Sequence, residues 1–124
     1  MQSNYGNSIK NKAYSMPLSV EVIWPRADKF YPCGAYVPCD ETNVEGTKIP
    51  AGTPVEMTAI GAAPKIGSAA TSPVGLTYED AYVGENGCTL TIVTVGDFNE
   101  SLSEVTLTTT QKNRLTGITF VKEA

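Results

Sequence analysis

Histidine is absent from all 124 residues of the sequence. Its imidazole titrates near neutral pH, which makes it the commonest general base and the commonest transition-metal ligand. Its absence excludes a Ser-His-Asp triad and a Cys-His pair. Phosphate-binding loops are also missing, since no G-x-x-x-x-G-K occurs and no G-x-G-x-x-G follows a predicted strand. The sequence therefore predicts no cofactor and favours a function without catalysis.

Cysteine is scarce, and its three copies form no familiar pattern. Cys33, Cys39 and Cys88 are an odd number, which does not suit a secreted domain built on disulfides. A Cys33–Cys39 bridge stays open, but reduced thiols in a cytoplasmically assembled protein are favoured. The spacing matches no zinc ribbon or finger, so no metal site is predicted. Cys88 begins a predicted strand and is interpreted as a core thiol.

Charged residues are few, at 18% of the chain, and the net charge is −4. A nucleic-acid-binding protein would normally carry a basic patch, so nucleic acid is not an expected partner. Residues 1–16 contain Lys10 and Lys12 and no acid, whereas residues 40–104 contain ten acids against two lysines. A slightly basic arm thus precedes an acidic body. Two interpretations of this charge distribution stay open. The acids form only a solvated surface, or the arm has the function of docking on an acidic or apolar partner.

Long apolar runs are absent too. None approaches the roughly 20 residues of a membrane-spanning helix, and the polar N-terminus lacks the apolar core of a secretory signal. We therefore expect no membrane partner and synthesis in the cytoplasm. Residues 1–16 show no apolar periodicity and are predicted to be a flexible N-terminal arm. Residues 17–124 are predicted to form a single β-rich domain.

Eleven glycines, eight prolines and many β-branched residues favour short strands and many turns. Apolar alternation predicts strands at 18–24, at 74–83 with a break near 79–80, at 88–95 with an end at Gly96, and at 118–121. Residues 25–46 are interpreted as an irregular stretch. Pro50 with Gly52, and Asn86 with Gly87, indicate tight turns.

A short helix is predicted near the C-terminus. Thr108 followed by Gln111 has the form of a capping box, and Gly117 could supply a left-handed stop after a helix over 109–116. The expected fold class is mainly β: a compact small β-barrel or β-sandwich-like domain with one short C-terminal helix.

Three acidic clusters could carry chemistry. Residues 40–46 offer oxygen ligands but not the spacing of a calcium-binding EF-hand. Glu79, Asp80 and Glu85 could be the carboxylates of a glycosidase only if they faced a cleft. The acids within 97–104 are interpreted as a solvated turn, and Asn99-Glu100-Ser101 is a formal glycosylation sequon that needs a secretory route.

Four segments resemble the bacteriophage head decoration and head-fibre proteins. They are IPAGTPV at 49–55, PVGLTYEDA at 73–81, TLTIVTVGDFNE at 89–100, and the closing pattern from Leu107 through Lys112 to Leu115, Gly117, Ile118 and Phe120. Each pattern of turn and strand is common alone, but their order is specific. The resemblance spans about residues 48–121 and leaves the N-terminal 47 residues uncovered.

The resemblance implies a capsid-stabilising protein that binds the major capsid protein on the exterior of the virion, after assembly in the host bacterial cytoplasm. It also implies a homotrimer at three-fold positions of an expanded lattice and an N-terminal arm that orders on the capsid. The predicted partner-binding residues are Tyr5, Ile9, Lys10, Lys12, Tyr14, Met16, Leu18 and Val20.

Two other functions stay open. One is a tail, baseplate or cell-surface module that binds a protein or a glycan, with Trp24, Tyr31 or Tyr36 as glycan contacts. The other is a small carboxylate-dependent enzyme using Glu79 or Asp80.

Overall fold

The computed structural model describes residues 23–121 of the chain. These residues form a mainly β structure with one short α-helix, which confirms the predicted fold class. The strands are β1 (Arg26–Phe30), β2 (Ala35–Val37), β3 (Lys48–Ile49), β4 (Pro54–Glu56), β5 (Lys65–Ile66), β6 (Gly75–Thr77), β7 (Ala81–Tyr82), β8 (Cys88–Leu90), β9 (Ile92–Asn99) and β10 (Ile118–Val121), and the helix is α1 (Thr109–Arg114). Within this part of the chain the sheets do not close into a barrel.

Strand β9 organises the main sheet, whose order is β1-β9-β6-β4-β5. It pairs with β1 and β6 in antiparallel fashion and with β10 in parallel fashion. Gly96 lies inside β9, so the prediction that it ends the strand was wrong. A Cβ at Gly96 would stand 2.4 Å from the carbonyl oxygen of Arg26, so the glycine permits β1 to lie close.

The prediction of an irregular stretch at 25–46 was also wrong, because β1 and β2 lie within it. β1 pairs with β9 and β2 pairs with β8, and both partners come much later in the chain. Of the strand predicted at 18–24, only Ile23 and Trp24 are described, and neither lies in a strand. The rest of that prediction, like the arm predicted at 1–16, falls outside the described residues.

Two small antiparallel sheets, β2-β8 and β3-β7, complete the β structure. A tight turn joins β7 to β8, in which the amides and carbonyls of Gly84 and Gly87 exchange hydrogen bonds of 3.2 and 3.0 Å. Gly87 has a φ of 83°, a conformation that glycine adopts without strain. The predicted turn at Asn86-Gly87 and the predicted break between β6 and β7 are therefore confirmed.

The buried apolar residues form two clusters. The first joins the main sheet to both small sheets and consists of Ala35, Val37, Ile49, Val55, Met57, Val83, Leu90 and Ile92. The second joins β6, β9 and β10 to residues before β1 and after α1, and consists of Trp24, Leu76, Val93, Phe98, Leu115 and Ile118. Because both clusters include residues of β9, this strand links the two parts of the core.

The predicted capping box is present at α1. The Thr108 hydroxyl accepts a hydrogen bond from the Gln111 amide, and the Gln111 side chain accepts one from the Thr108 amide, each at 3.1 Å. The helix ends at Arg114, two residues before its predicted end, and Gly117 does not adopt a left-handed conformation. A Cβ at Gly117 would instead stand 2.5 Å from the Thr94 carbonyl oxygen.

No helix among residues 23–121 is long and apolar enough to cross a membrane.

Candidate binding surface

All eight predicted partner-binding residues, from Tyr5 to Val20, lie outside the described residues. The first described residues are Ile23 and Trp24, directly before β1.

Trp24 anchors the start of the described chain in the core. Its side chain is 3% exposed, and its ring centroid lies 4.8 Å from that of Phe98. The indole Nε1 donates a hydrogen bond of 3.3 Å to the carbonyl oxygen of Thr77. A buried indole with its N–H satisfied is firmly held. Trp24 is therefore held at a fixed position in the core, where a glycan cannot reach it.

Strand β1 follows this anchor and is an edge of the main sheet as far as residues 23–121 show. The Arg26 guanidinium donates hydrogen bonds of 3.0 and 3.2 Å to the Asp97 carboxylate and also contacts Asp28. This hydrogen bonding raises the pKa of Arg26 and lowers the pKa of Asp97. The register between β1 and β9 is interrupted twice. Charged side chains and irregular register both discourage another strand from adding to this edge.

The two small sheets present a row of four exposed side chains, which we call the tyrosine face: Lys48, Tyr82, Thr89 and Tyr36. Lys48 is paired with Tyr82 across β3 and β7, and Tyr36 with Thr89 across β2 and β8. The Gly84–Gly87 turn brings Tyr82 and Thr89 to matching positions on its two arms. Their neighbours Val37, Ile49 and Leu90 are buried, as the alternation of side chains along a strand requires.

Tyr36 and Tyr82 dominate this surface. They are 55% and 61% exposed. The Tyr36 hydroxyl donates a hydrogen bond to the carbonyl oxygen of Asn86, and its ring packs against Gly87. The Tyr36 ring is thereby held in place on the turn, whereas Tyr82 stands beside the Lys48 side chain. Both rings can contact a partner without rearrangement of the backbone.

Acidic residues lie on the loop and the turn that adjoin the tyrosine face. Glu85 lies on the turn that Tyr36 contacts, and Glu41 and Glu45 lie on the loop from β2 to β3; all three are exposed. This loop runs beside β7, because the Gly46 amide donates a hydrogen bond of 2.7 Å to the Val83 carbonyl. At the other end of the row, Lys48 contacts Glu104 at 2.7 Å and Asp80 at 3.7 Å. The hydrogen bond to Glu104 is the main cause of the raised pKa of Lys48.

A shallow apolar recess lies beside Tyr36. It is lined by Cys33, Pro38 and Met57 together with the small residues Gly61 and Ala62. Ile60, next to this lining in the chain, is 59% exposed. The uncharged surface therefore continues from Tyr36 onto the loop that follows β4.

The acidic clusters named from the sequence have structural partners. The Asp40 carboxylate accepts hydrogen bonds of 2.9 and 2.8 Å from the amides of Thr42 and Asn43, which form a local turn. Asp80 accepts a hydrogen bond of 2.8 Å from the Ala51 amide. Glu79 and Asp80 are exposed rather than set in a cleft. In residues 23–121 no group of three or more acids or cysteines could hold a metal ion.

Residues of the predicted solvated turn at 97–104 instead take part in a strand, an ion pair and a side-chain hydrogen bond. Asp97 and Asn99 belong to β9, and Glu100 forms an ion pair of 2.8 Å with Lys112. Asn99 is 5% exposed, and its side chain accepts a hydrogen bond from the Ser101 amide. The sequon at Asn99 is therefore closed to a glycosylating enzyme in the folded protein.

All three cysteines are free. Cys33 and Cys39 are exposed, whereas Cys88 is partly covered and packs against the first apolar cluster. Burial raises the pKa of the Cys88 thiol, which makes it less reactive. The interpretation of Cys88 as a packing residue agrees with this position.

Sequence reasoning named Tyr36 as a possible glycan contact and missed Tyr82. The alternation of exposed and buried residues in β7 could have indicated that Tyr82 points outward. The neighbourhood of the two tyrosines depends on how four strands pair, which no local pattern shows.

No model of a protein family matches the chain, and no curated protein and no solved structure matches it either.

Proposed function

We propose that this chain is a non-enzymatic structural protein of a bacteriophage virion. It binds the exterior of the assembled capsid and stabilises it, with the N-terminal arm ordering on the major capsid protein. The arm contacts are Tyr5, Ile9, Lys10, Lys12, Tyr14, Met16, Leu18 and Val20.

The observation that carries this proposal is the burial of Trp24. It fixes the preceding segment to a folded body, with Phe98 packing against the indole and Thr77 accepting its N–H. Because the arm is attached at a defined point, binding of the arm to the capsid also fixes the position of the body. Ordering of a flexible segment on a partner adds main-chain hydrogen bonds, and the entropy cost arises only on binding.

The four motifs that resemble decoration proteins contribute residues to the core. Ile49 and Val55 of the first motif are buried in the first apolar cluster. Leu76 of the second motif and Phe98 of the third are buried in the second cluster, together with Leu115 and Ile118 of the closing pattern. These residues therefore form the core, while the tyrosine face and the arm would determine the partner.

A homotrimer on a symmetry axis would strengthen weak contacts. Three arms on one assembly gain avidity, because the second and third arms bind at high effective concentration. An arm of modest affinity could then hold the protein on a capsid under internal pressure.

Co-sedimentation with expanded capsids tests the proposal. The full chain should bind saturably, and deletion of residues 1–16 should abolish binding while circular dichroism shows an intact fold. Full-strength binding by the deletion variant would contradict the arm mechanism. Absence of binding by the full chain, with binding to tails or glycans, would favour the tail or adhesin function.

A further inference from the structure

Exposed apolar side chains concentrate around the tyrosine face. Of the five large hydrophobic residues exposed in the described part of the chain, Tyr36 and Tyr82 belong to the face and Val44 lies on the adjoining loop. Val44 begins the turn in which the Thr47 amide donates a hydrogen bond of 3.0 Å to its carbonyl. Monomeric proteins seldom group such residues, and grouped exposed apolar residues mark binding surfaces.

The charged residues on the loop and the turn that adjoin this surface are all acidic. Glu41, Glu45 and Glu85 are exposed, and within residues 23–121 none of them forms an ion pair. The cation in the row, Lys48, is neutralised by Glu104 and Asp80. An acidic rim attracts a cationic partner and repels nucleic acid and anionic surfaces.

From these observations we propose that the tyrosine face binds an extended basic polypeptide segment of a neighbouring protein, with arginine side chains stacked on Tyr36 and Tyr82 and paired with the surrounding glutamates. Arginine suits the site because its planar guanidinium stacks on aromatic rings and also pairs with carboxylates. This contact is separate from the arm and does not depend on the identity of the larger assembly.

The geometry also sets the spacing of the basic residues. Tyr82 and Tyr36 are separated in the row by the β8 strand, so normal strand spacing puts their positions about 10 Å apart. In an extended chain, side chains on one face recur at every second residue, about 7 Å apart. The segment should therefore carry arginines at positions i and i+2, whose long side chains span the remaining distance.

Titration of the isotope-labelled full chain, followed by nuclear magnetic resonance, tests the proposal. The probe is a blocked peptide Gly-Arg-Gly-Arg-Gly, and its controls replace both arginines with neutral citrulline or with glutamate. We expect saturable shifts in the amides of residues 36, 41–48 and 82–89. The citrulline and glutamate peptides should cause none of comparable size.

Matched variants separate this site from general attraction to an acidic protein. Tyr82→Ala should weaken binding about three-fold by loss of a cation–π contact, whereas Phe30→Ala, which removes an exposed aromatic ring on β1, should not. The double variant Glu41→Gln/Glu45→Gln should weaken it about three- to ten-fold, whereas Asp28→Asn should not.

Four results would each overturn the proposal. They are shifts spread evenly over all exposed acids, equal binding of the citrulline peptide, equal weakening by the β1 control variants, and absence of saturable binding. None of these results bears on capsid binding through the arm, which the co-sedimentation assay measures independently.

Discussion

The ring of Phe98 lies directly over Gly52 in the turn that joins β3 to β4. A Cβ at Gly52 would stand 2.4 Å from Cζ of Phe98 and 3.1 Å from the Ser103 hydroxyl. Gly52 also has a φ of 91°, and Phe98 is fully buried, so its ring cannot move aside. The turn predicted from Pro50 and Gly52 therefore has a second requirement, which is space for an aromatic ring from β9.

We expect Gly52→Ala to destabilise the protein in two ways. The left-handed backbone costs about 1–2 kcal/mol for alanine, and overpacking against Phe98 costs about 1–3 kcal/mol more. Gly61→Ala is the matched control, because Gly61 has a φ of 87° and open space around it. Urea unfolding should show the larger loss of unfolding free energy for Gly52→Ala. Equal losses in the two variants would contradict the packing role.

The burial of Trp24 predicts that substitutions at this position lower the free energy of unfolding by different amounts. Trp24→Ala should reduce the free energy of unfolding by about 3–5 kcal/mol, as for other buried tryptophans. Trp24→Phe should cost less, because Thr77 keeps a second hydrogen bond to its carbonyl from the Gly52 amide at 2.9 Å. Tyr82→Ala, at an exposed position, should change stability by no more than about 0.5 kcal/mol. If Trp24→Ala were as mild as Tyr82→Ala, the arm would lack a fixed attachment.

The hydrogen bonding of Glu56 predicts that the free energy of unfolding depends on pH in the acid range. Its carboxylate accepts a hydrogen bond of 3.0 Å from the Ser72 amide, which is the main cause of its lowered pKa; nearby Lys65 adds to the shift. Because the pKa of Glu56 is lower in the folded than in the unfolded state, its ionised carboxylate stabilises the fold. This stabilisation is fully present at pH values above the unfolded pKa of 4.5. That stabilisation is lost as the pH falls through the folded pKa.

Urea unfolding of the wild type and of Glu56→Gln checks this dependence. The wild type should be the more stable at about pH 6, and the difference should shrink as the pH falls through the folded pKa of Glu56 and the carboxyl becomes protonated. A difference independent of pH would show that the charge of Glu56 does not contribute.

The cysteines should differ in reactivity. Cys33 and Cys39 are exposed, whereas burial raises the pKa of Cys88 and lowers its thiolate fraction. Mass spectrometry of the native protein treated with iodoacetamide should show two rapid modifications and a slow third at Cys88. In urea all three should react at similar rates. Rapid native modification of Cys88 would mean that its strand is not packed as described.

Local chemistry predicted the features that depend on near neighbours. The capping box at Thr108 and Gln111 and the turn at Asn86-Gly87 were confirmed because each requires only a few adjacent residues. The predictions that Gly96 ends a strand and that Gly117 ends the helix were wrong. These glycines instead leave room for the carbonyl oxygens of Arg26 and Thr94, which approach from other strands. Such close approaches depend on the tertiary arrangement and leave no local pattern.

The tyrosine face could not be predicted for the same reason. Tyr36 and Tyr82 are far apart in the chain and share a surface because β2 pairs with β8, β3 pairs with β7, and one turn joins the two sheets. Residues 25–46 lacked apolar alternation, and β1 explains why: four of its five residues are exposed on an edge strand.

Electron microscopy of virions carrying a labelled copy of the full chain shows directly whether the protein binds the capsid. We expect label on the outside of the head, at regular lattice positions, and its loss when residues 1–16 are deleted. Label confined to the tail or baseplate, or a virion without label, would contradict a capsid-binding function.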